Sequence, residues 1–210
     1  MKNILFAALF ISFAASLSEA QTMRRTNVRA YSSESQHAVS GALGFYSPGN
    51  TTWSGTANGT GSIVTPTVSG MFGIGGDYEY IWKPDVTFGG IFRYYSTSDS
   101  SNSSGTNIEE TVKLWTLGGM MKAYAHTESW TGYLGTGIGA ISPSLKRVTG
   151  TTTVDTEVSM GFGLYMAMGL LYKFNDQMAF GVENLRAMGL GEKINGWPIN
   201  DFMFKGRFTL

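Results

Sequence analysis

The stretch "VDTEVSMGFGLYMAMGLLYKF", Val154 to Phe174, decides the fold. Wound as a helix it mixes apolar and polar residues on every side, and each glycine costs about 1 kcal/mol relative to alanine. Read with a period of two, it separates. Val154, Thr156, Val158, Met160, Phe162, Leu164, Met166, Met168, Leu170, Tyr172 and Phe174 form one set, nearly all apolar. Asp155, Glu157, Ser159, Gly161, Gly163, Tyr165, Ala167, Gly169 and Lys173 form the other, small, polar or charged, with Leu171 as the exception. Two unlike faces at period two describe a β-strand. At about 3.3 Å per residue, the whole stretch as one stave is far longer than a strand of a soluble protein.

The alternation recurs. Val68, Phe72, Ile74, Tyr78, Tyr80 and Trp82 oppose Ser69, Gly73, Gly75, Asp77 and Glu79. Val86, Phe88, Phe92 and Tyr94 lie opposite Arg93. Trp115, Leu117 and Met121 oppose Thr116, Met120 and Lys122. Met178, Phe180 and Val182 oppose Glu183, and Phe202, Phe204, Phe208 and Leu210 oppose Asp201, Lys205 and Arg207. "HAVSGALGFYS" puts Val39, Leu43 and Phe45 on one side, while "TGYLGTGIGAI" does not declare its faces. Tight links "KPD" (Lys83–Asp85), "HTE" (His126–Glu128) and "NDQ" (Asn175–Gln177) alternate with long Ser-, Thr-, Asn- and Gly-rich connections. The count is about eight strands, antiparallel because hairpins join them.

Composition narrows the class. Of 210 residues only 14% are charged, against about 25% in soluble domains. Lys+Arg and Asp+Glu are equal at 15 each, which gives no sign of nucleic-acid binding. The absence of cysteine excludes disulfides, a cysteine nucleophile and thiolate metal sites. "MKNILFAALFISFAASLSEA" joins an early Lys2 to an apolar run and a small-residue end, with Ser18 and Ala20 placed for cleavage after Ala20. It reads as a secretory signal over residues 1–20, because the apolar run is short for the ~20 residues that span a bilayer. Residues 21–36 read as a polar, mildly basic arm, and 37–210 as the folded domain.

Two architectures use eight such strands. A soluble barrel turns its apolar face inward around a ligand; a membrane barrel turns it outward and keeps a polar interior. The apolar set is bulky and its counterpart is glycine, alanine and charge, which suits a crowded interior and not a watery surface. Aromatic residues gather beside the tight links: Tyr80 and Trp82, Trp130, Tyr172 and Phe174. That is an interfacial girdle. The expected fold is all-β, an eight-stranded antiparallel transmembrane β-barrel in an up-and-down meander.

With its signal, hairpin rhythm, "GGDYEYIW" strand end and alternating aromatic last strand, the sequence from about Gln36 to Leu210 resembles the small Gram-negative outer-membrane barrels. That group includes the OmpA transmembrane domain, OmpX, OmpW and Opa-like proteins. In it the last residue is usually Phe or Trp and serves assembly; here it is Leu210, with Phe208 two before it. The resemblance implies a monomer in the cell outer membrane, among lipid and lipopolysaccharide, placed there by the barrel-assembly machinery. It implies a non-enzymatic structural or surface-presenting role through the outer loops, in adhesion or envelope integrity. The alternative is an OmpW-like small channel or transporter for small molecules, hydrophobic ones among them.

Candidate sites follow from the faces. Asp77, Glu79, Arg93, Lys122, Glu183, Lys205 and Arg207 fall on the inward face, and buried charges require partners. Glu183 is expected near Lys205, and Asp77 near Arg93. The set is either a structural polar plug or a gated conduction path. Trp53 and Trp197 are expected as exposed aromatics in polar loops, anchoring a ligand or packing at the outer interface. Lys146 and Arg147 either meet lipopolysaccharide phosphates or stay solvated. No catalytic constellation surrounds His37 or His126, "GTGIGA" (Gly135–Ala140) lacks the βαβ setting of a dinucleotide loop, and no cofactor or metal is expected.

Overall fold

The computed structural model describes residues 37–47, 51–57, 60–64, 70–103, 106–191, 193–196 and 198–210. The expected signal 1–20, the arm 21–36 and Trp197 lie outside the described residues. The strands are β1 (His37–Tyr46), β2 (Thr51–Ala57), β3 (Thr60–Val64), β4 (Met71–Lys83), β5 (Val86–Ser103) and β6 (Thr106–His126). They continue with β7 (Trp130–Thr149), β8 (Thr152–Val158), β9 (Gly161–Lys173), β10 (Met178–Leu190), β11 (Ile194–Gly196) and β12 (Ile199–Thr209). Eight of them close a ring of antiparallel neighbours: β1, β4, β5, β6, β7, β9, β10 and β12, the last pairing back onto β1. The short strands β2, β3, β8 and β11 belong to the long connections.

Alternation dictates what faces where. The outer wall carries exposed Leu43, Phe45, Phe72, Ile74, Phe92, Leu117, Ile138, Phe162, Met168, Leu170 and Phe204. Exposed apolar surface on this scale is a lipid-facing belt, not a water-facing one. Aromatic rings line its tight-turn edge: Trp82 with Phe88, Trp130 with Tyr172, and Phe180 with Phe174 and Phe208. Such rings settle at the headgroup level. The tight links fall where expected, β4 ending at Lys83 before Val86, β6 at His126 before Trp130, and β9 at Lys173 before Met178.

The undeclared segment now has faces. Gly135, Gly137 and Gly139 of β7 share the inward parity of buried Tyr133 and Ile141, and Ile138 faces out. A Cβ on Gly139 would lie 2.7 Å from the Tyr165 ring, and one on Gly118 2.4 Å from it. Gly139 of "GTGIGA" and Gly118, its partner across the ladder, therefore make room for a tyrosine.

Two expectations about the outer segments are corrected. The long Ser/Thr connections are largely strand: β5 and β6 pair as far as Ser103 and Thr106, and β7 and β8 meet around a tight turn with Gly150 at φ +59°. Val154–Phe174 is also not one stave. Ile141 faces Gly161, but Ser144 faces Glu157, so β7 advances three residues while its partner advances four. The extra residue is a bulge around Ser159–Met160. A one-residue slip exchanges the faces: Gly161, Gly163 and Tyr165 are buried in β9, whereas Thr156 is buried and Asp155 exposed in β8.

Candidate functional site

All seven inward charges meet in one cluster. Asp77 and Glu79 stand two residues apart on β4 and so share a face. Arg93 on β5 donates to Asp77 at 2.6 Å and also to Glu183 on β10. Lys122 on β6 reaches Asp77 at 2.6 Å and Glu79 at 2.8 Å. Lys205 on β12 binds Glu183 at 2.8 Å and also Asp77. Arg207 completes the set on Glu79 at 3.3 Å. Each carboxylate thus faces more than one cation, the condition under which buried charges are tolerated.

Tyrosines, not foreseen as site residues, finish the satisfaction. Tyr124 donates to Glu79 at 2.7 Å, and Tyr133 donates to Glu183. The Tyr133 ring also lies 5.2 Å from the Lys122 ammonium and 5.1 Å from that of Lys205. Cations at that range are drawn to the ring face. A Cβ at Gly169 would come within 2.3 Å of the Tyr133 ring, and one at Gly73 within 2.4 Å of Tyr95. An inward tyrosine beside a neighbouring inward glycine was the available sequence signal.

Above this layer the character changes. Tyr95 donates to Asp201 at 2.5 Å, and the Leu185 N–H donates to the same carboxylate at 2.7 Å. Asp201 is therefore held by hydrogen bonds. The β10–β12 ladder is interrupted at this point, between Glu183↔Met203 and Arg186↔Asn200. Beyond lie buried Tyr46, Leu114, Ile141, Leu185, Ile194 and Ile199. An apolar layer thus sits on a charged one.

The outer end is bridged by the first long connection. β2 pairs with β3, and also with β8 (Gly55↔Val158) and β11 (Trp53↔Ile194). Trp53 is wholly buried within the apolar cluster, which corrects the expectation of an exposed or interfacial aromatic. Arg147 lies on the inward parity of β7, where its guanidinium donates to Glu110 at 2.6 and 3.1 Å while part of the side chain stays exposed. Lys146, with the opposite parity, is exposed. Trp197 lies outside the described residues.

The histidines occupy the tight-turn edge. His37 Nδ1 lies 2.7 Å from the Tyr78 hydroxyl, and His126 contacts Thr131 and the Pro84 carbonyl. Among the described residues no group of three metal-ligating side chains comes together.

No protein-family model matches the sequence, and no curated protein does. Solved structures do. Neisserial surface protein A is 13% identical with a TM-score of 0.55, over 84% of this chain and 98% of that one. The outer membrane protein OprG from Pseudomonas aeruginosa is 12% identical with a TM-score of 0.58, over 84% of this chain and 96% of that one. Identity this low carries the fold alone. Joined to the closed meander, the apolar belt and the ion-paired interior, it shows that this chain has the fold of the small eight-stranded outer-membrane β-barrels of Gram-negative bacteria.

Proposed function

We propose that the protein is a non-enzymatic outer-membrane barrel, monomeric, whose packed interior serves as a rigid support for a structured outer surface. The observation that carries this is the bridge of β2 onto β8 and β11 with Trp53 buried beneath it. Function on rigid scaffolds concentrates in such connections. Here they are built from paired strands, which gives them a fixed shape to present. An ion-paired layer and an apolar layer in series oppose passage of water or ions through the interior. The outer extension then acts in adhesion or envelope integrity. The test compares cells carrying the full protein with cells in which residues 51–64 are replaced by a short turn. Equal surface attachment and equal detergent sensitivity would sink the presenting role.

A second reading, passage of small apolar molecules, has one observation in its favour. At the bulge, Pro143 of β7 lies between the last β9 pairing and the first β8 pairing, and proline offers no N–H to a ladder. The wall is locally unlaced there. Uptake of an apolar fluorescent probe into vesicles, raised by the protein and lowered by Pro143→Val, would favour this route. Uptake indifferent to the protein would end it.

A further inference from the structure

The outer wall of β5, β6 and β7 has a feature that the interior does not explain. Down the outward face of β6 run Lys113, Trp115, Leu117, Gly119 and Met121. Gly119 faces Gly90 across β5 and Ile138 across β7. A Cβ on Gly90 or Gly119 would meet nothing nearer than 3.9 Å. At neighbouring Gly137, by contrast, a Cβ would lie 2.1 Å from the Gly119 carbonyl oxygen. Packing therefore enforces glycine at 137 and leaves 90 and 119 open. The result is a dent of about 410 Å³ in the lipid-facing belt, lined by Phe88, Gly119, Met121, Thr136 and Ile138 among others.

Above the dent stand two cations. Lys113 pairs in register with Ser144 and Lys146 with Thr111, so the lysines are diagonal neighbours on the outward face. Diagonal positions lie about 7–8 Å apart, a span one phosphate can bridge. Neither ammonium has an ion-pair partner among the described residues. Nearby carboxylate residues are Asp155, in register with Lys146, Glu157, in register with Ser144, and Glu109, which accepts from Ser98. Six residues separate Lys113 from Gly119, about 20 Å along the strand. With a tilt of 35–45° this is roughly 15 Å along the membrane normal, close to half of the ~30 Å hydrocarbon core. Trp115, partly exposed between them, marks the headgroup level.

We infer that this wall binds lipopolysaccharide: a lipid A phosphate between Lys113 and Lys146, and one acyl chain running past Trp115 and Leu117 into the dent at Gly119. The inference rests on the outer-membrane reading above. Spacing carries it, because Lys113 sits one leaflet above the recess on the same strand, with Lys146 diagonal to it on β7.

Native mass spectrometry of the refolded protein in detergent, titrated with lipid A, dephosphorylated lipid A and phosphatidylglycerol, tests it. Lys113→Ala with Lys146→Ala is expected to weaken lipid A binding roughly ten-fold and to leave dephosphorylated lipid A unchanged. Gly119→Leu fills the dent and is expected to weaken both lipid A forms. A heat-dependent gel shift for each variant verifies the closed barrel. Lipid A binding equal to the parent in both classes of variant would overturn the site. Phosphatidylglycerol binding as tightly, with the same losses, would overturn the assignment to lipopolysaccharide. A parent protein without any heat-dependent shift would overturn the barrel reading and the site with it, a result distinct from intact variants that bind normally.

Discussion

At the scale of the residue, Glu183 concentrates the energetics of the interior. It is wholly buried, accepts from Tyr133, and faces Arg93 and Lys205. Removing one partner of a buried ion pair leaves the others uncompensated and costs about 3–5 kcal/mol. Glu183→Ala is therefore expected to lower the denaturant midpoint of the refolded barrel by a corresponding amount; an unchanged midpoint would show that Arg93 and Lys205 are satisfied elsewhere. Gly169 gives a steric counterpart. Gly169→Val drives a side chain into the Tyr133 ring, and overpacking of this kind costs about 1–3 kcal/mol. The double variant with Tyr133→Ala should recover part of that loss, which a double-mutant cycle measures. The seven charges were legible because strand parity is a strict period of two and each strand has one polar side. The tyrosines were not legible as site residues: parity places Tyr95 inward but does not say which carboxylate its hydroxyl reaches, and Tyr133 lies in a segment whose faces alternation leaves undeclared.

At the scale of the element, the eight staves and their tight turns followed from alternation and turn chemistry. The outer strands did not. Ser, Thr and Asn in "STSDSSNSSGTN" read as a loop, yet β5 and β6 carry their ladder through it, because a register already fixed in the belt continues upward with little added cost. The bulge in Val154–Phe174 was hidden for another reason. Both halves alternate cleanly, so a one-residue slip leaves no mark in composition. The bridging of β2 was invisible because it joins segments a hundred residues apart by backbone pairing. That bridge can be tested directly, since the chain has no cysteine of its own. Gly55→Cys with Val158→Cys places two thiols at paired positions, within the Cα separation a disulfide accepts. Mild oxidation is expected to give an intramolecular crosslink that changes gel mobility without reductant; its absence would remove the bridge. Trp53→Ala should cost about 3–5 kcal/mol and expose the outer extension to added protease.

At the scale of the molecule, the barrel is an inverted globule. Its charges are inside and its hydrocarbon side chains outside, so its stability depends on a surrounding apolar phase. The purified protein is expected to require detergent and to migrate differently before and after boiling. A protein monomeric and freely soluble without detergent would contradict the exposed belt of Phe45, Phe72, Phe162 and Phe204. In planar bilayers the parent should be electrically silent, because the charged and apolar layers close the same path. Sustained single-channel steps would mean that one layer opens. What the outer surface meets is not written in strand periodicity, which reports faces and not partners.

The pairing of β1 with β12 has a consequence in time. Ala38 lies opposite Thr209, so the seam joins the two ends of the folded domain. Each stave from β1 to β10 pairs with the stave that follows it along the chain, but the second edge of β1 is covered only by the last stave, β12. Until Ile199–Thr209 arrives, β1 is a bare edge carrying Leu43 and Phe45, open to any other strand that offers itself. Loop-closure entropy must be met before the seam returns any hydrogen bond. Assembly of this protein is thus a race between that late arrival and premature pairing of its leading edge. Leaving the closing strand off is expected to give aggregation rather than a seven-staved barrel.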